Sequence, residues 1–350
     1  MKPIVLNFES LNSPDGGISR VSNLVIKYFK SRRVRVVVNV FRDRTSHVKE
    51  NKYIKINYCN KSKLKFFYFN IINTLNCKYI LYDHLGLSKI HRFLIRSKPF
   101  VTFIYGIEIW DNKRSDRLEM QKKSNLTISI SKFTRKKAEK IHGPLKNIEI
   151  CWLSTIYNKS NRNNFNFNKN LNFLMLSRLE PGKGHIEVLR AWKRFKNKSH
   201  QLWIVGKGLK IKEIQNFLKK KPINNVRVFG FLKQSKLKKL WSKTNIFIMP
   251  SKVEGFGLVY IEAMSKGIPI ITSTHDAGSE INIHNKTGFA VNLNSKNKNL
   301  VYYLNKINKN RNLLKKISNN SYNHWSKNFK YDNFKFRFDG IIKSFEKNIL

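Results

Sequence analysis

Apolar residues in this chain come in short continuous runs rather than in alternation. In the first half the runs cover residues 3–8, 34–40, 52–58, 79–84, 100–106, 126–131 and 147–154. Stretches with helical character separate most of them, notably residues 17–30, 62–76 and 132–142. Strands that are apolar at every position, alternating with helices, are the pattern of a parallel sheet covered on both faces. The stretch YNKSNRNNFNFNKN (157–170) breaks the pattern. It is polar, rich in Asn and without an apolar period, so it reads as an interdomain linker.

The alternation then restarts. Apolar runs cover 171–179, 201–206, 225–231, 245–251, 269–273 and 288–291. Helices are expected over about 184–196, then through Lys221, then over 234–243, where Leu237, Leu240 and Trp241 recur at helical spacing. Two polar-faced helices follow near 295–308 and 310–325. Residues 332–350 form an amphipathic helix with Phe334, Phe338, Ile341, Ile342 and Phe345 on one side. The chain therefore reads as two successive α/β units.

Composition adds limits rather than identity. The chain has 350 residues, 41% of them hydrophobic, which suits two packed domains. No apolar run approaches the roughly 20 residues of a spanning helix. The opening MKPIVLNFES reads as a strand, not a secretion signal. Cys59, Cys77 and Cys151 show neither metal spacing nor a disulfide framework. A cytoplasmic protein is expected.

The formal net charge is +48, divided as +20 over residues 1–150 and +28 over 151–350. An excess this even is not a basic tail. It favours anionic partners such as nucleotide diphosphates or phospholipid headgroups. The abundance of Asn, Ile and Phe equally fits an AT-rich coding bias. The cations form no stripe interleaved with aromatics and no known nucleic-acid motif, so nucleic acid is not an expected partner. Basic clusters at Lys27, Lys30, Arg32, Arg33 and Arg35, and at Lys61, Lys63 and Lys65 beside Phe66, Phe67 and Tyr68, suit an anionic membrane surface.

The chemistry gathers where strands end. Glu254-Gly255-Phe256-Gly257-Leu258-Val259-Tyr260-Ile261-Glu262 runs from a strand end, across a glycine turn, onto a helix. Open α/β sheets bind ligands at that place, and the free amides of a helix start attract phosphate. Arg178 and Lys183 flank another glycine-bearing turn, SRLEPGKG, after the first strand of the second unit. Two cations there would suit a diphosphate gathering negative charge. Gly16 and Gly17 follow the first strand of the chain, where paired glycines admit a ligand close to the backbone. Tyr105-Gly106-Ile107-Glu108 and Tyr82-Asp83-His84 close two other strands of the first half. No Asp-x-Asp pair stands at a strand end, so no metal is indicated.

The glutamate segment resembles the E-x7-E signature of retaining glycosyltransferases of family 4 (glycosyl transferases group 1), which have the GT-B fold. Arg178 and Lys183 resemble that family's R-x4-K clamp. Gly16 and Gly17 resemble its Gly-Gly loop over the donor phosphates. Ile130 to Arg135 resembles its S-x-F-T-[RK] helix start, with Ser131 as the cap. Gly206 and Phe229 resemble the walls around the nucleotide base, and Gly278-Ser279-Glu280 the short segment after the next strand. At Tyr105 many relatives carry His, and this departure puts a histidine role there in doubt.

The resemblance implies two Rossmann-like domains facing across a cleft. An acceptor-side domain spans 1–160, with helix 332–350 crossing back to it. A nucleotide-sugar domain spans 165–330. It implies Glu254, Arg178 and Lys183 as catalytic residues. Gly16, Gly17, Gly206, Phe229, Gly255, Phe256, Gly257, Leu258 and Glu262 would bind the donor. Glu254 would contact the sugar and Glu262 the ribose hydroxyls, while Tyr105, His84 and Glu108 would serve the acceptor side. The partners are a nucleotide-diphosphate sugar and a glycan or lipid-linked acceptor, in bacterial surface polysaccharide synthesis, with no cofactor. Three other readings compete. A glycosidase shares the carboxylate pair but needs no diphosphate clamp. A GT-B sugar-nucleotide epimerase shares the fold and donor site. A basic nucleic-acid-binding protein would explain the charge.

Overall fold

The computed structural model describes residues 2–12, 17–95, 98–167, 170–195, 197, 199–294 and 297–349. The chain divides into two compact units, Met1–Ile156 with Tyr331–Leu350, and Tyr157–Lys330. Each is a parallel sheet between helices.

The first unit runs β1 (Ile4–Phe8), α1 (Gly17–Ser31), β2 (Val36–Val40), β3 (Ile54–Tyr58), α2 (Lys63–Leu75) and β4 (Ile80–Tyr82). It continues with α3 (Leu85–Ser88), a 3-10 turn (Lys89–Phe93), β5 (Phe100–Ile104), α4 (Ile107–Trp110), α5 (Ser115–Lys123), β6 (Leu126–Ser129), α6 (Lys132–His142) and β7 (Ile148–Ile150). The sheet order is β3-β2-β1-β4-β5-β6-β7. Winding reverses between β1 and β4, which makes the crevice beyond their carboxyl ends the switch point of a doubly wound fold. Strands β1 and β5 are buried at every position, as strands covered on both faces must be.

Polar residues inside this sheet are paired in a ladder. Register sets Asn7 beside Asn39 and Asn39 beside Asn57. Asn39 Nδ2 donates to Asn7 Oδ1 at 3.0 Å, and Asn57 Nδ2 to Asn39 Oδ1 at 2.9 Å. The ladder then climbs onto α2. Asn7 Nδ2 donates to Asn70 Oδ1 at 2.7 Å, and Asn73 Nδ2 to Asn39 Oδ1 at 3.0 Å. Buried amides satisfy one another, which removes the penalty of leaving them unpaired.

The C-terminal helix, Tyr331–Asn348, packs on this unit and buries Phe334, Phe338, Ile342 and Phe345. Phe338 meets Tyr28 edge-on at 4.8 Å and Phe345 meets Tyr79 at 5.1 Å. Tyr28 Oη donates to Asp339 at 2.8 Å, Arg32 pairs with the same carboxylate, and Lys27 Nζ lies 3.9 Å over the Tyr331 ring. Two members of the first basic cluster, Lys27 and Arg32, are thus used in holding this helix, which differs from the membrane-facing role expected of them.

The second unit runs β8 (Asn172–Leu176), α7 (His185–Arg194), β9 (Gln201–Val205), α8 (Ile211–Lys220), β10 (Val226–Gly230), α9 (Gln234–Lys243) and β11 (Ile246–Ile248). It ends with α10 (Leu258–Ser265), β12 (Ile270–Ser273), α11 (Gly278–Ile281), β13 (Gly288–Val291), α12 (Lys298–Lys309) and α13 (Arg311–Asn328). Its order, β10-β9-β8-β11-β12-β13, reverses between β8 and β11. The Asn-rich stretch read as a linker packs on this unit instead. Asn163 donates to the Trp241 carbonyl at 2.8 Å, Arg162 donates to Ser318 Oγ at 3.0 Å, and the Tyr157 hydroxyl meets Ser265 Oγ at 3.1 Å. Tyr157, Arg162 and Asn163 are thus anchors to specific partners, which periodicity does not reveal.

Candidate active site

The loops after β8 and β11 flank the switch point of the second unit, and they carry Arg178, Lys183 and Glu254. Glycine lets these loops close on each other. Gly184 adopts φ +84°, and a Cβ there would fall 2.3 Å from the Pro250 carbonyl oxygen. The Lys252 N–H donates to the Gly182 carbonyl at 2.7 Å and Ser251 Oγ to the same oxygen at 3.1 Å. This stitching brings Lys183 Nζ into an ion pair with Glu254. Lys183 is 8% exposed. It is therefore not the solvated cation that a basic surface would supply, whereas Arg178 is exposed at the rim.

A second carboxylate lies behind this pair. Asp276, after β12, is fully buried. Its Oδ2 accepts from the Glu254 N–H at 3.1 Å and its Oδ1 from the Gly278 N–H at 2.9 Å. Burial, then the nearby Glu254 charge, push its carboxyl up to about 7. The Ala277 N–H donates to the Glu254 carbonyl at 3.1 Å, so residues 276–278 fix the backbone of Glu254 from both sides. His185 opens α7 beside Lys183. Its Nε2 lies 3.1 Å from Ser177 Oγ, and burial, reinforced by the Lys183 charge, pushes the imidazole down to about 4. Sequence reasoning missed Asp276 and His185. The only signal for Asp276 was its place just before the Gly278-Ser279-Glu280 segment.

The motif turn leads directly into α10. Gly257 has φ +87° and Leu258 is the first helical residue, where amides lack partners within the helix. Phe256 is buried and meets Phe329 at 6.1 Å. Tyr260 is fully buried and its hydroxyl donates to the Met249 carbonyl at 2.7 Å, tying the helix to the end of β11. Glu262 is the fifth residue of α10 and is partly exposed. Gly255 lies half-buried between Glu254 and Phe256.

The remaining candidates on this unit spread outward along the sheet. Gly206 follows β9 with φ +148°, and a Cβ would meet the Ser177 carbonyl at 1.9 Å. Close approach of the β8 and β9 loops therefore requires glycine there. Phe229 is 37% exposed on the outermost strand β10, with β9 between it and β8. The structure does not bring it to the Lys183–Glu254 pair.

On the first unit, Gly16 lies outside the described residues, and Gly17 opens α1 with open space around it. The three acceptor-side candidates cluster after β4 and β5. His84 Nδ1 pairs with Asp83 at 2.7 Å. Asp83 is buried and also accepts from the Glu9 N–H at 2.7 Å and Ser22 Oγ at 3.3 Å, joining the ends of β4 and β1. Burial alone draws the His84 imidazole down, but Asp83, with Glu9 and Glu108, carries it above its usual value. Burial pushes the Glu108 carboxyl up against amide donations from Tyr105 and Gly106. The Tyr105 hydroxyl is buried without a hydrogen-bond partner among the described residues. Burial and the carboxylates of Asp83 and Glu108 hold that phenol well above its usual range. Ser131 caps α6 by accepting from the Thr134 N–H at 2.9 Å. Among the described residues no group of three His, Cys, Asp or Glu is placed to hold a metal ion.

Two doubly wound units, each with polar groups at its switch point, define a Rossmann-like α/β protein of the GT-B class. Residues 158–324, nearly all of the second unit, match the family model of glycosyl transferases group 1. The chain is similar to the serotype-specific mannosyltransferase WbdA of Escherichia coli, at 34% identity over 104 residues, 28% of this chain and 13% of that protein. The match thus spans about an eighth of that relative's length. Among solved structures, Anabaena Alr3699/HepE in complex with UDP and glucose is similar at TM-score 0.81 and 18% identity, covering 98% of this chain and 100% of that one. Sucrose-phosphate synthase from Thermosynechococcus elongatus is similar at TM-score 0.83 and 15% identity, covering 98% and 99%. Both show that the fold likeness extends over the first unit as well.

Proposed function

We propose that this chain is a retaining glycosyltransferase. It moves a sugar from a nucleotide-diphosphate sugar to a glycan or lipid-linked acceptor in surface polysaccharide synthesis. One observation carries the reading: the buried Lys183 is paired with Glu254 beside the amide-rich start of α10, at the switch point of a unit that matches the group 1 model. A lysine held there is positioned for a diphosphate, which would compete with Glu254 for its ammonium. Released from that pair, Glu254 is free to accept from sugar hydroxyls. Glu262, a helical turn deeper, takes the ribose hydroxyls.

In the proposed reaction the bond between the anomeric carbon and the phosphate oxygen breaks. Arg178, Lys183 and the amides of residues 255–258 take the developing charge on the diphosphate. The acceptor oxygen bonds to the anomeric carbon on the face that the phosphate leaves, and its proton passes to the departing phosphate. His84, Glu108 and Tyr105 are the residues of the first unit proposed to serve the acceptor. The reading calls for no cofactor and no metal. A relative named for serotype-specific mannosyl transfer supports a growing surface glycan as acceptor, and a neighbour solved with UDP and glucose supports UDP-hexoses as the first donors to test. An acceptor of this kind places the protein on the cytoplasmic face of a membrane, bound peripherally.

A thermal-shift panel of nucleotide-sugars, followed by product analysis with the best binder, tests the proposal. Release of nucleotide diphosphate that depends on acceptor supports transfer. An isomerised nucleotide-sugar without a glycoside product would establish the epimerase reading in its place.

A further inference from the structure

Helix α2 is amphipathic in the inverted sense. Its inward side carries Asn70, Asn73 and Thr74, held by the asparagine ladder of the sheet and by Thr74 Oγ1 donating to the Asn70 carbonyl at 2.6 Å. Of its large side chains only Phe66 is buried. Its outward side is apolar, with Leu64 82%, Tyr68 59%, Ile72 46%, Phe67 42% and Leu75 42% exposed. At ~100° per residue these five and Ile71 fall within an arc of about 140°. Lys63 and Lys65, both exposed, stand about 100° to either side of Leu64, one at each margin of that arc. A helix of a water-facing surface turns its apolar stripe to the core. Here the ladder fixes the polar side inward, so the apolar side cannot be buried by rolling the helix.

We infer that α2 is a membrane-docking helix that lies in the headgroup region of an anionic bilayer. Its apolar arc enters the acyl boundary, and Lys61, Lys63 and Lys65 sit at the level of the lipid phosphates. An apolar stripe bordered by lysines is the pattern of helices that lie in the membrane interface. Charge selects this occupant over a second copy of the chain. Two copies meeting through α2 would set Lys63 and Lys65 of each against those of the other, on chains of net charge +48. An anionic bilayer accepts both the cations and the apolar side chains. The inference deepens the proposal of a lipid-side acceptor and rests on it for its biological purpose. Vesicle binding is read without donor or acceptor, so failure here leaves the transfer reading standing.

Flotation of the full chain with phosphatidylcholine vesicles, with and without 30 mol% phosphatidylglycerol (an ordinary mixture at about the charge density of a cytoplasmic leaflet), tests it. Binding is expected with the anionic vesicles and should weaken as salt rises. Leu64→Ser with Phe67→Ser should reduce partitioning more than tenfold, with the helical circular dichroism retained and the fold still melting cooperatively, because Leu64 is 82% and Phe67 42% exposed. Lys63→Ala and Lys65→Ala should each reduce it about fivefold, as expected for ~1 kcal/mol per cation near anionic lipid. Three results would overturn the inference. One is no flotation of the unaltered protein at low salt. Another is equal flotation of the Leu64 and Phe67 variant. The third is a lipid-free dimer in sedimentation that the same variant abolishes, which would give the face to a second copy.

Discussion

Replacing Asp276 by Asn tests whether the loop after β12 carries a strained charge beneath Glu254. Asp276 is fully buried, and burial with the Glu254 charge raises its carboxyl from 3.8 to about 7. A shift of about three units corresponds to ~4 kcal/mol. The sign follows from proton counting. Between the unfolded and folded values the native protein holds a proton that the unfolded chain has lost. The contribution of this one group to stability is therefore greatest below pH 4, falls by ~1.4 kcal/mol per unit as pH rises, and levels off above about pH 7. The substituted amide would carry no charge at any pH. It can accept only one of the two N–H donors now bound by the carboxylate, a constant loss of ~1–3 kcal/mol. That loss displaces the curve and leaves its slope alone. The unfolding free energy of Asp276→Asn minus that of the unaltered protein should thus rise by about 3 kcal/mol from pH 4.5 to pH 8. Urea unfolding at four or five pH values measures it. In a Glu254→Gln background the rise should end at lower pH, because the second cause is gone. A difference that stays flat within ~1 kcal/mol across this range would refute the reasoning.

Arg178→Ala and Lys183→Ala should each lower transfer by ~10²–10³, the scale for losing one charge-stabilising donor. They should differ in stability. Arg178 is exposed and its loss should be nearly silent, whereas losing Lys183 strands Glu254 and should lower the melting temperature measurably. Glu262→Ala should weaken binding of the nucleotide diphosphate and of the intact donor alike, while Glu254→Ala should weaken only the intact donor. Calorimetry with both ligands separates the two, and equal losses for both ligands in both variants would remove this division of labour.

The strands were legible because a parallel sheet covered on both faces demands mainly apolar runs, broken here by the asparagine ladder and by exposed Lys55, Glu149 and Arg227 on the edge strands β3, β7 and β10. All thirteen strands of the two sheets fall within runs picked from the sequence. The short helices α3, α4 and α11, four residues each, and the polar α5 were not anticipated. Four residues cannot display a helical period, and SDRLEMQKK has only Leu118 and Met120 to show one. In the candidate site, Lys183 and Glu254 stood out because glycine turns and strand ends mark them locally. Asp276 did not, and His84 was picked from its strand end without the buried contacts of Asp83 to Glu9 and Ser22, since those environments arise from strands that become neighbours only in the sheet. Helix α2 shows the same limit. The sequence offers Phe66, Phe67 and Tyr68 beside lysines, but only the ladder from Asn7 and Asn39 decides which of them face the sheet.

The central claim is transfer with retention at the anomeric carbon. Its most direct measurement is the one-bond C1–H1 coupling constant at the anomeric carbon of the transferred sugar, in product made from an α-configured nucleotide-sugar by the purified protein. The account predicts an α-linked product and one nucleotide diphosphate released per linkage, both lost in Lys183→Ala. A β-linked product would contradict retention, and consumption of the donor to an isomerised nucleotide-sugar without any glycoside would contradict transfer itself.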